Sequence, residues 1–393
     1  MRFHVVGTGT LGSLVAHHLR RITPSDHSIT LLHRKTKDAR RGAPAIHVET
    51  MGSRAVVSST GFDRESYHGN SEAIESLIVT SRPSATVESI RQLAPRLSPN
   101  CTIVLLQNGL AVYDEIIQTV FRNSHQRPHF ILASTTHQTM FNTRTELRGR
   151  GRGPRLFHST TGTLEFALLP DSFGRDFEAG FTDPAVHASA RVPRLTDITS
   201  AQDDLFFERY RSLRNTVAAL LMAESLGTQW SPLARVQLLL RRALAVDSVI
   251  HPLTALMGCR TYDIFATTES MRIAERISQE ASNVFEAQLC AETKAWMAAN
   301  GSQQIEGALG IARLPRALEP ESLVQECLRV SRTSHLAIST MLDAIRTGRR
   351  TEIEFLNGYL VKLGQTYNVQ MPTTSTMYDL VQMRRYFPLD QIV

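Results

Sequence analysis

The stretch MRFHVVGTGTLG, residues 1–12, places a short apolar segment directly before three glycines with the spacing G-x-G-x-x-G. A helical pattern of apolar residues begins at Leu11 and continues through Leu19. A strand, a glycine turn and a helix in this order are typical of dinucleotide-binding folds, because the turn lets a pyrophosphate approach the backbone and the helix N-terminus offers it N–H groups. The alternative is a glycine-rich turn without a ligand. We expect a cofactor-binding turn formed by Gly7, Thr8, Gly9, Thr10, Leu11 and Gly12.

The end of the second predicted strand indicates which dinucleotide this turn would bind. Ser28 to Leu32 is followed by His33, Arg34 and Lys35, with no carboxylate where an NAD site usually holds the ribose 2′-OH. Guanidinium and ammonium groups suit a 2′-phosphate instead. Arg34 therefore favours NADPH as the cofactor, and a basic surface turn without a ligand is the alternative.

Further apolar runs predict that the first half of the chain contains a mostly parallel sheet. The runs are Ser76 to Thr80, Thr102 to Leu106 and Phe130 to Ala133, and they alternate with helical patterns. Ligands bind at the carboxyl ends of the strands in such sheets. The polar residues after the first two runs should therefore face the cofactor.

Two polar stretches interrupt this pattern. Residues 147–155, LRGRGRGPR, resemble Arg/Gly segments that contact RNA backbones, but three Arg-Gly repeats are few. We favour the tip of a hairpin whose return strand lies within residues 156–169. Residues 171–204 show little periodicity, and we interpret them as an insertion.

The chain changes character at Pro232, where strand patterns give way to helical patterns that continue through Met383. The expected fold class is α/β, with an N-terminal Rossmann-type dinucleotide-binding domain, residues 1–231, and an all-helical C-terminal domain, residues 232–393. Pro252 lies inside the first helical pattern. Because proline removes a helical hydrogen bond and clashes with the preceding turn, we expect a kink or a break near residue 250.

The same helical pattern carries a row of three residues spaced four apart, Ala243, Asp247 and His251, on one helical face. Burying a polar pair in an otherwise apolar run is costly unless the pair has a use. The row is therefore a candidate for catalysis, and a surface stripe with a weak Asp247–His251 pair is the alternative. Further along the chain, Glu352 on its own is more typical of a solvated helix charge than of a site residue.

Composition excludes some classes of protein. Of the 393 residues, 42% are hydrophobic and 20% charged, as in globular proteins, and the net charge of +6 suits an anionic ligand, a phosphorylated cofactor or nucleic acid. The four cysteines lack metal-site or disulfide spacing, and no run of about 18 apolar residues could span a membrane. Because the first strand leaves no room for a leader peptide, we expect a cytoplasmic protein, with a mitochondrial location left open.

Six segments of the chain resemble, in order, segments of the ketopantoate reductases (2-dehydropantoate 2-reductases). They are GTGTLG at 7–12, LIVTSR at 77–82, QNGL at 107–110, STTH at 134–137, LAVDSVIHPLTA at 244–255 and TEIEFLNGYL at 351–360. The resemblance extends over nearly the whole chain. It implies a Rossmann domain followed by a helical domain, and NADPH-dependent reduction of a small 2-oxo acid.

The resemblance also implies roles for single residues. Gly7, Gly9 and Gly12 would hold the pyrophosphate and Arg34 the 2′-phosphate. The remaining positions are Arg82 in place of a cofactor-contacting Lys, Asn108 beside the nicotinamide and the substrate, Thr340 at a substrate-contacting Ser position, and Glu352 as the acidic residue near the catalytic centre. For Glu352, the resemblance outweighs the solvated-charge interpretation.

The row on the first helix departs from the family, which reads Lys-x-x-x-Asn-x-x-x-Asn where this chain has Ala243, Asp247 and His251. In the family the Lys polarises the ketone and supplies the proton, and alanine can do neither. Arg242 points about 100° away around the helix, and a guanidinium is a poor proton donor. His251 could be the acid, with Asp247 orienting it or raising its pKa, but it lies about 12 Å along the helix from position 243.

Two hypotheses of different classes follow. The first is an NADPH-dependent 2-oxo acid reductase with altered substrate or impaired turnover, in which His251, Asp247 and Glu352 are catalytic and Asn108, Asp247, His251 and Thr340 contact the substrate. The second is a catalytically inactive relative that binds RNA or an organellar assembly, suggested by the missing Lys, the basic charge and the Arg/Gly stretch. The oligomeric state is open, with a homodimer as one option.

Overall fold

A computed structural model describes residues 1–35, 45–53, 55–69, 72–107, 109–141, 155–187, 190–200, 204–299, 313–333 and 338–387. Asn108 and the Arg/Gly residues 147–154 lie outside these ranges. The chain divides into two compact units, Met1–Gln237 and Leu238–Val393. The predicted fold class is confirmed, because the first unit contains the parallel strands and the second is helical.

The first unit contains two sheets. Its strands are β1 (Arg2–Val6), β2 (Ser28–His33), β3 (Ile46–Thr50), β4 (Val56–Ser59), β5 (Asp63–Ser66), β6 (Ser76–Val79), β7 (Thr102–Leu105), β8 (His129–Thr135), β9 (Gln138–Phe141), β10 (Arg155–Thr160), β11 (Leu164–Leu168) and β12 (Thr228–Trp230). The main sheet has the order β12-β11-β8-β7-β6-β1-β2-β5, and the second has the order β4-β3-β10-β9.

The centre of the main sheet is parallel because its strands are apolar on both faces. Val5, Ile78 and Val104, from β1, β6 and β7, are fully buried. β1 pairs in parallel with β2 on one side and with β6 on the other. The carboxyl ends of β1 and β6 therefore lie side by side, which places the glycine turn next to the residues that follow β6.

The described helices of the first unit are α1 (Thr10–Ile22), α2 (Pro83–Leu93), α3 (Gly109–Thr119), α4 (Ala179–Thr182), α5 (Leu195–Ile198) and α6 (Phe207–Met222). The polar stretch expected to be an insertion contains α4 and α5. Phe177 and Ile198 from this stretch are buried in the core of the unit, and Arg175 forms an ion pair of 2.6 Å with Asp204. The stretch is thus packed against the sheet at both of its ends.

Strands β9 and β10 pair in antiparallel fashion, as the hairpin interpretation requires. Of its predicted tip, residues 147–154 lie outside the described residues, and Arg155 already belongs to β10. β10 also pairs in parallel with β3, which joins residues 47–50 to residues 155–158. The second sheet therefore depends on contacts between distant parts of the sequence, and α1 packs against its strands as well as against β1 and β2.

The second unit is built from helices. The first is α7 (Leu233–Met257), which lies mostly in this unit. The others are α8 (Thr268–Ala299), α9 (Pro320–Thr333), α10 (Thr340–Arg346), α11 (Asn357–Tyr367) and α12 (Pro372–Arg384). No strand follows Trp230 in the described ranges. Among the residues that the structure describes, none of these helices is long and apolar enough to cross a membrane.

Of the kink or break predicted near residue 250, the break is wrong and the kink stays a prediction. α7 is a single helix of 25 residues that contains Pro252. Its apolar residues are buried in two clusters, one including Leu244 and Ala255 and the other including Val249 and Leu253. Packing on several sides stabilises the helix against the loss of one backbone hydrogen bond.

Candidate functional site

Two glycines of the turn are required by backbone geometry. Gly7 has a φ of +93°, which L side chains rarely adopt, and a Cβ on it would lie 2.4 Å from the backbone N of Ser81. A Cβ on Gly12 would lie 2.0 Å from the carbonyl O of Gly7. These two glycines allow a tight turn and close packing of α1 on the turn, as the motif predicts.

Gly9 differs from the other two, because a Cβ on it would meet nothing within 4 Å and its φ of −76° suits any residue. Protein packing therefore does not explain why this residue is glycine. Gly9 is the N-cap of α1, and no side chain caps the first turn of that helix. Open space beside uncapped N–H groups at a helix N-terminus fits the diphosphate of a dinucleotide.

Thr80, directly after β6, holds the turn in place, and the sequence argument did not single it out. Its hydroxyl donates to the carbonyl O of Gly7 at 2.6 Å, and its backbone N donates to that of Val6 at 2.9 Å. The next residue, Ser81, has its hydroxyl 2.8 Å from that of Thr86 in α2. The sequence does show that Thr80 is a polar residue at the carboxyl end of a strand. It does not show that Thr80 bonds to Gly7, because that contact depends on the pairing of β1 with β6.

The basic candidates lie at the carboxyl ends of strands. Arg34 and Lys35 follow β2 and are exposed, so both are accessible to an anionic ligand. Arg82 is half-buried and is the N-cap of α2. The predicted contact at Asn108 falls on a residue that the structure does not describe.

The row on α7 is accessible from the surface of the second unit. Ala243, Asp247 and His251 are half-exposed, whereas residues between them, such as Val246 and Ile250, are buried. The three side chains therefore share an accessible face of this part of the helix. A surface stripe would instead have exposed neighbours, so the geometry favours the functional interpretation of this row.

His251 lies between two carboxylates. Its Nδ1 is 3.1 Å from Oε1 of Glu352, a hydrogen-bond distance. Its Nε2 is 3.7 Å from Oδ1 of Asp247, which is longer than a hydrogen bond. Thr340 donates its hydroxyl to the same Oε1 of Glu352. The structure thus brings together four predicted site residues from three separate stretches of the second unit.

The two carboxylates determine the protonation state of His251. Burial alone would lower its pKa, but the charge of Asp247 and the hydrogen bond and charge of Glu352 outweigh burial and raise the pKa to about 9. The side chain is 21% exposed, so the ring remains accessible. At neutral pH, His251 is therefore a cation that carries a proton on each ring nitrogen.

Ser339 supports Thr340 from the preceding position, and the sequence argument assigned it no role. Its hydroxyl accepts from the backbone N of Leu342 at 3.1 Å, which caps α10. The same hydroxyl lies 2.7 Å from that of Thr254 in α7. A serine one residue before a helix is a typical cap signal, but only the fold shows that it also contacts α7.

Arg242, the neighbour of Ala243, is engaged by a carboxylate of another helix. Its guanidinium forms an ion pair of 2.9 Å with Glu326 of α9. The expectation that Arg242 points around the helix from Ala243 stays a prediction.

The sequence matches two family models. Residues 3–157 match the model described as Ketopantoate reductase PanE/ApbA, and residues 235–385 match Ketopantoate reductase PanE/ApbA C terminal. The 2-dehydropantoate 2-reductase of Yersinia pestis is 23% identical over 310 residues, covering 79% of this chain and 74% of that protein. The one of Vibrio cholerae is 22% identical over 387 residues, covering 97% of each.

Solved structures share the fold at low sequence identity. A PanE/ApbA family ketopantoate reductase from Ralstonia eutropha has a TM-score of 0.63 at 14% identity, covering 98% of this chain and 99% of that one. D-mandelate dehydrogenase in a ternary structure with NADH and anilino(oxo)acetate has a TM-score of 0.65, also at 14% identity, with the same coverage. The dimeric ketopantoate reductase from Staphylococcus aureus has a TM-score of 0.57 at 12% identity, covering 98% of this chain and 99% of that one.

Both halves of the chain thus match the corresponding halves of one family, in the same order and over the same two units. Full-length relatives extend the match across the region between them. The chain belongs to the ketopantoate reductase family.

Proposed function

We propose that this protein reduces a small 2-oxo acid to the 2-hydroxy acid with NADPH, and that His251 supplies the proton. The observation that carries the proposal is the position of His251, with Nδ1 on Glu352 and a raised pKa. A cationic imidazole on an accessible helical face can act as a general acid at neutral pH. It would serve the purpose that lysine serves in the family pattern.

The reaction adds a hydride to the carbonyl carbon and a proton to the carbonyl oxygen, which yields one C–H and one O–H bond. Bound NADPH would supply the hydride, with NADP⁺ as the second product. The Nε2–H of His251 is the proton donor in this scheme, because Nδ1 is held by Glu352 while Nε2 has only a longer contact with Asp247. The same Nε2–H polarises the ketone before transfer, and Thr340 is the candidate for a further contact with the substrate.

The carboxylates on either side stabilise the cation and also set a limit on its acidity. Glu352 and Asp247 favour protonated His251, so the acid is fully charged at neutral pH but transfers its proton less readily. A negative substrate carboxylate near Asp247 would be repelled. Altered substrate choice or slow turnover therefore accompanies this arrangement.

The cofactor assignment rests on the first unit. The space beside Gly9 and the N-terminus of α1 would hold the diphosphate, and exposed Arg34 and Lys35 would bind a 2′-phosphate. Arg82 is the candidate for a further contact with the cofactor. These contacts favour NADPH over NADH because no carboxylate occupies residues 33–35.

The test is NADPH consumption by the purified full-length chain over a panel of 2-oxo acids, 2-dehydropantoate included. We expect turnover of at least one member and a preference for NADPH over NADH. Absence of turnover across the panel, together with salt-sensitive RNA binding, would instead support the non-catalytic alternative. NADPH binding measured separately distinguishes a failed cofactor assignment from a failed catalytic one.

We also propose that the protein forms a homodimer. The support is the fold that it shares with the dimeric enzyme from Staphylococcus aureus. Light scattering on the purified chain should give twice the mass of the monomer. A monomer at concentrations well above those of the activity assay would contradict this proposal.

A further inference from the structure

Pro252 leaves one carbonyl of α7 without its usual partner. In an α-helix, the N–H of each residue donates to the carbonyl O four positions earlier, so residue 252 would serve Ser248. Proline has no N–H, and its ring also crowds that carbonyl. The carbonyl belongs to the turn of α7 that lies between Asp247 and His251, where a local distortion would change the spacing of the catalytic row.

Asn357 occupies the place of the missing donor. Its Nδ2 donates to the carbonyl O of Ser248 at 3.1 Å, and its side chain is completely buried. Among the described residues, this bond is the one that Asn357 makes through its side chain, because its Oδ1 has no partner. The only polar contact of this buried amide is thus directed at the carbonyl that proline leaves unpaired.

Asn357 is also connected to the second carboxylate of the site. It begins α11 and follows Glu352 through a short 3₁₀ turn, Ile353–Phe355. Glu352 contacts Nδ1 of His251 at 3.1 Å. The segment between Glu352 and Asn357 therefore meets α7 at two points, once at a catalytic side chain and once at the backbone one turn before it.

We propose that Asn357 is a positioning residue that replaces the backbone hydrogen bond lost at Pro252 and thereby holds Glu352 against His251. The inference rests on the proposed role of His251. Its physical basis is that the amide at one end of the Glu352–Asn357 segment fixes the distance between the segment and α7. Without that bond the carboxylate at the other end is held less firmly against α7, and its charge contributes less to the protonated form of His251.

The first test replaces Asn357 by Leu, which keeps the branched shape and the number of side-chain heavy atoms and removes the donor. We expect the pKa of His251, followed by NMR titration of its imidazole, to fall by about one unit or more, because Glu352 then contributes less to the protonated form. The alkaline limb of the pH profile of kcat should move to lower pH by the same amount. Since the NMR titration needs no turnover, it tests the positioning role even if the proposed reaction is wrong.

The second test is a double-mutant cycle with Pro252→Ala, which restores an N–H at residue 252. In that background the N–H of residue 252 competes with Asn357 for the carbonyl of Ser248, so the link between the segment and α7 is already weaker. Asn357→Leu should then change the pKa of His251 by less than half as much as it does beside Pro252. Equal effects in the two backgrounds would show that Asn357 acts independently of the proline and would overturn the proposal.

Thr374→Val is the matched control for general destabilisation. Thr374 is completely buried in the same unit and donates its hydroxyl to Glu280 at 2.6 Å, away from His251. This variant should lower the melting temperature and leave the pKa of His251 unchanged. If Asn357→Leu behaves like this control, with lower stability and an unaltered pKa, Asn357 has a structural role only.

Discussion

The glycine turn after β1 and the half-exposed row on α7 are constrained in different ways. At Gly7 and Gly12 an added Cβ would collide with backbone atoms, so only glycine fits. Ala243, Asp247 and His251 meet no such limit, because a half-exposed helical position accepts most side chains. Steric demands therefore restrict the residues of the glycine turn, whereas the positions of the row on α7 are not restricted in this way.

The strongest test of this contrast is removal of the proposed proton donor. His251→Gln keeps a hydrogen-bonding side chain but has no proton to transfer, so kcat should fall by about 10²- to 10⁴-fold while NADPH affinity is unchanged. Steady-state kinetics together with NADPH titration measure the two separately. Full activity in this variant would exclude His251 as the acid, and the companion variant Ala243→Lys then asks whether the site accepts the family donor.

Arg34→Ala tests the cofactor side of the comparison. Loss of a charged hydrogen-bonding partner costs about 1.5–3 kcal/mol, so the KM for NADPH should rise roughly ten- to a hundred-fold while that for NADH changes little. Arg122→Ala is a matched control, since Arg122 is an exposed arginine of the same unit and donates to the carbonyl O of Gln118. An equal change in both KM values would contradict a 2′-phosphate contact.

Two glycine substitutions distinguish a role in folding from a role in cofactor binding within the turn. Gly12→Ala should destabilise the first unit by about 1–3 kcal/mol, because its Cβ would lie 2.0 Å from the carbonyl O of Gly7. Gly9→Ala should leave thermal stability unchanged and weaken NADPH binding, because the methyl group occupies only the open space beside α1. Equal loss of stability in both variants would show that Gly9 too is structural.

The smallest effect expected at neutral pH is on stability. It arises because the pKa values of buried histidines are lowered in the first unit, whereas that of His251 is raised in the second. Burial, with nearby arginine charges, lowers the pKa of His4, His17 and His129 to about 4. Their neutral forms stabilise the first unit above pH about 6.5, and this contribution is lost as pH falls toward 4. His251, with its pKa raised to about 9, stabilises the second unit fully below pH about 6.5 and loses its contribution as pH rises toward 9.

Thermal unfolding measured from acid to alkaline pH checks these signs. We expect stability to decline on both sides of neutrality, and His251→Gln should remove part of the alkaline decline while leaving the acid decline in place. An unchanged alkaline decline in that variant would show that His251 is not the group responsible.

Most of the fold could be predicted because its signals are local. The apolar runs that form β1, β6 and β7, and the glycines between β1 and α1, carry their structural meaning within a few residues. Of the kink or break expected near Pro252, the break was wrong, because tertiary packing of α7 and a donor from another helix outweigh the local preference of proline. No local pattern contains that information.

The site was predictable only in part for the same reason. The spacing of Asp247 and His251 indicates one helical face, but the contact of His251 with Glu352 joins residues 101 positions apart. The resemblance to a family supplied that connection. Thr80 and Asn357 were missed because their roles depend on strand pairing and on an unpaired carbonyl. An orphan carbonyl four residues before Pro252 could have indicated that some donor was needed, though not which one.

The short strand β12 has a consequence for how the protein is made. The chain leaves the ribosome from its N-terminus, so the main sheet is complete only when Trp230 has emerged and β12 has paired with β11. The first turn of α7 follows at once and is tied to that sheet through Arg235, which donates to Glu165 of β11, while Leu233 donates to Glu178 beside α4. A helix whose costly first turn is already anchored can then grow as its remaining residues appear. Synthesis thus delivers the row that carries His251 well before its partner Glu352 exists.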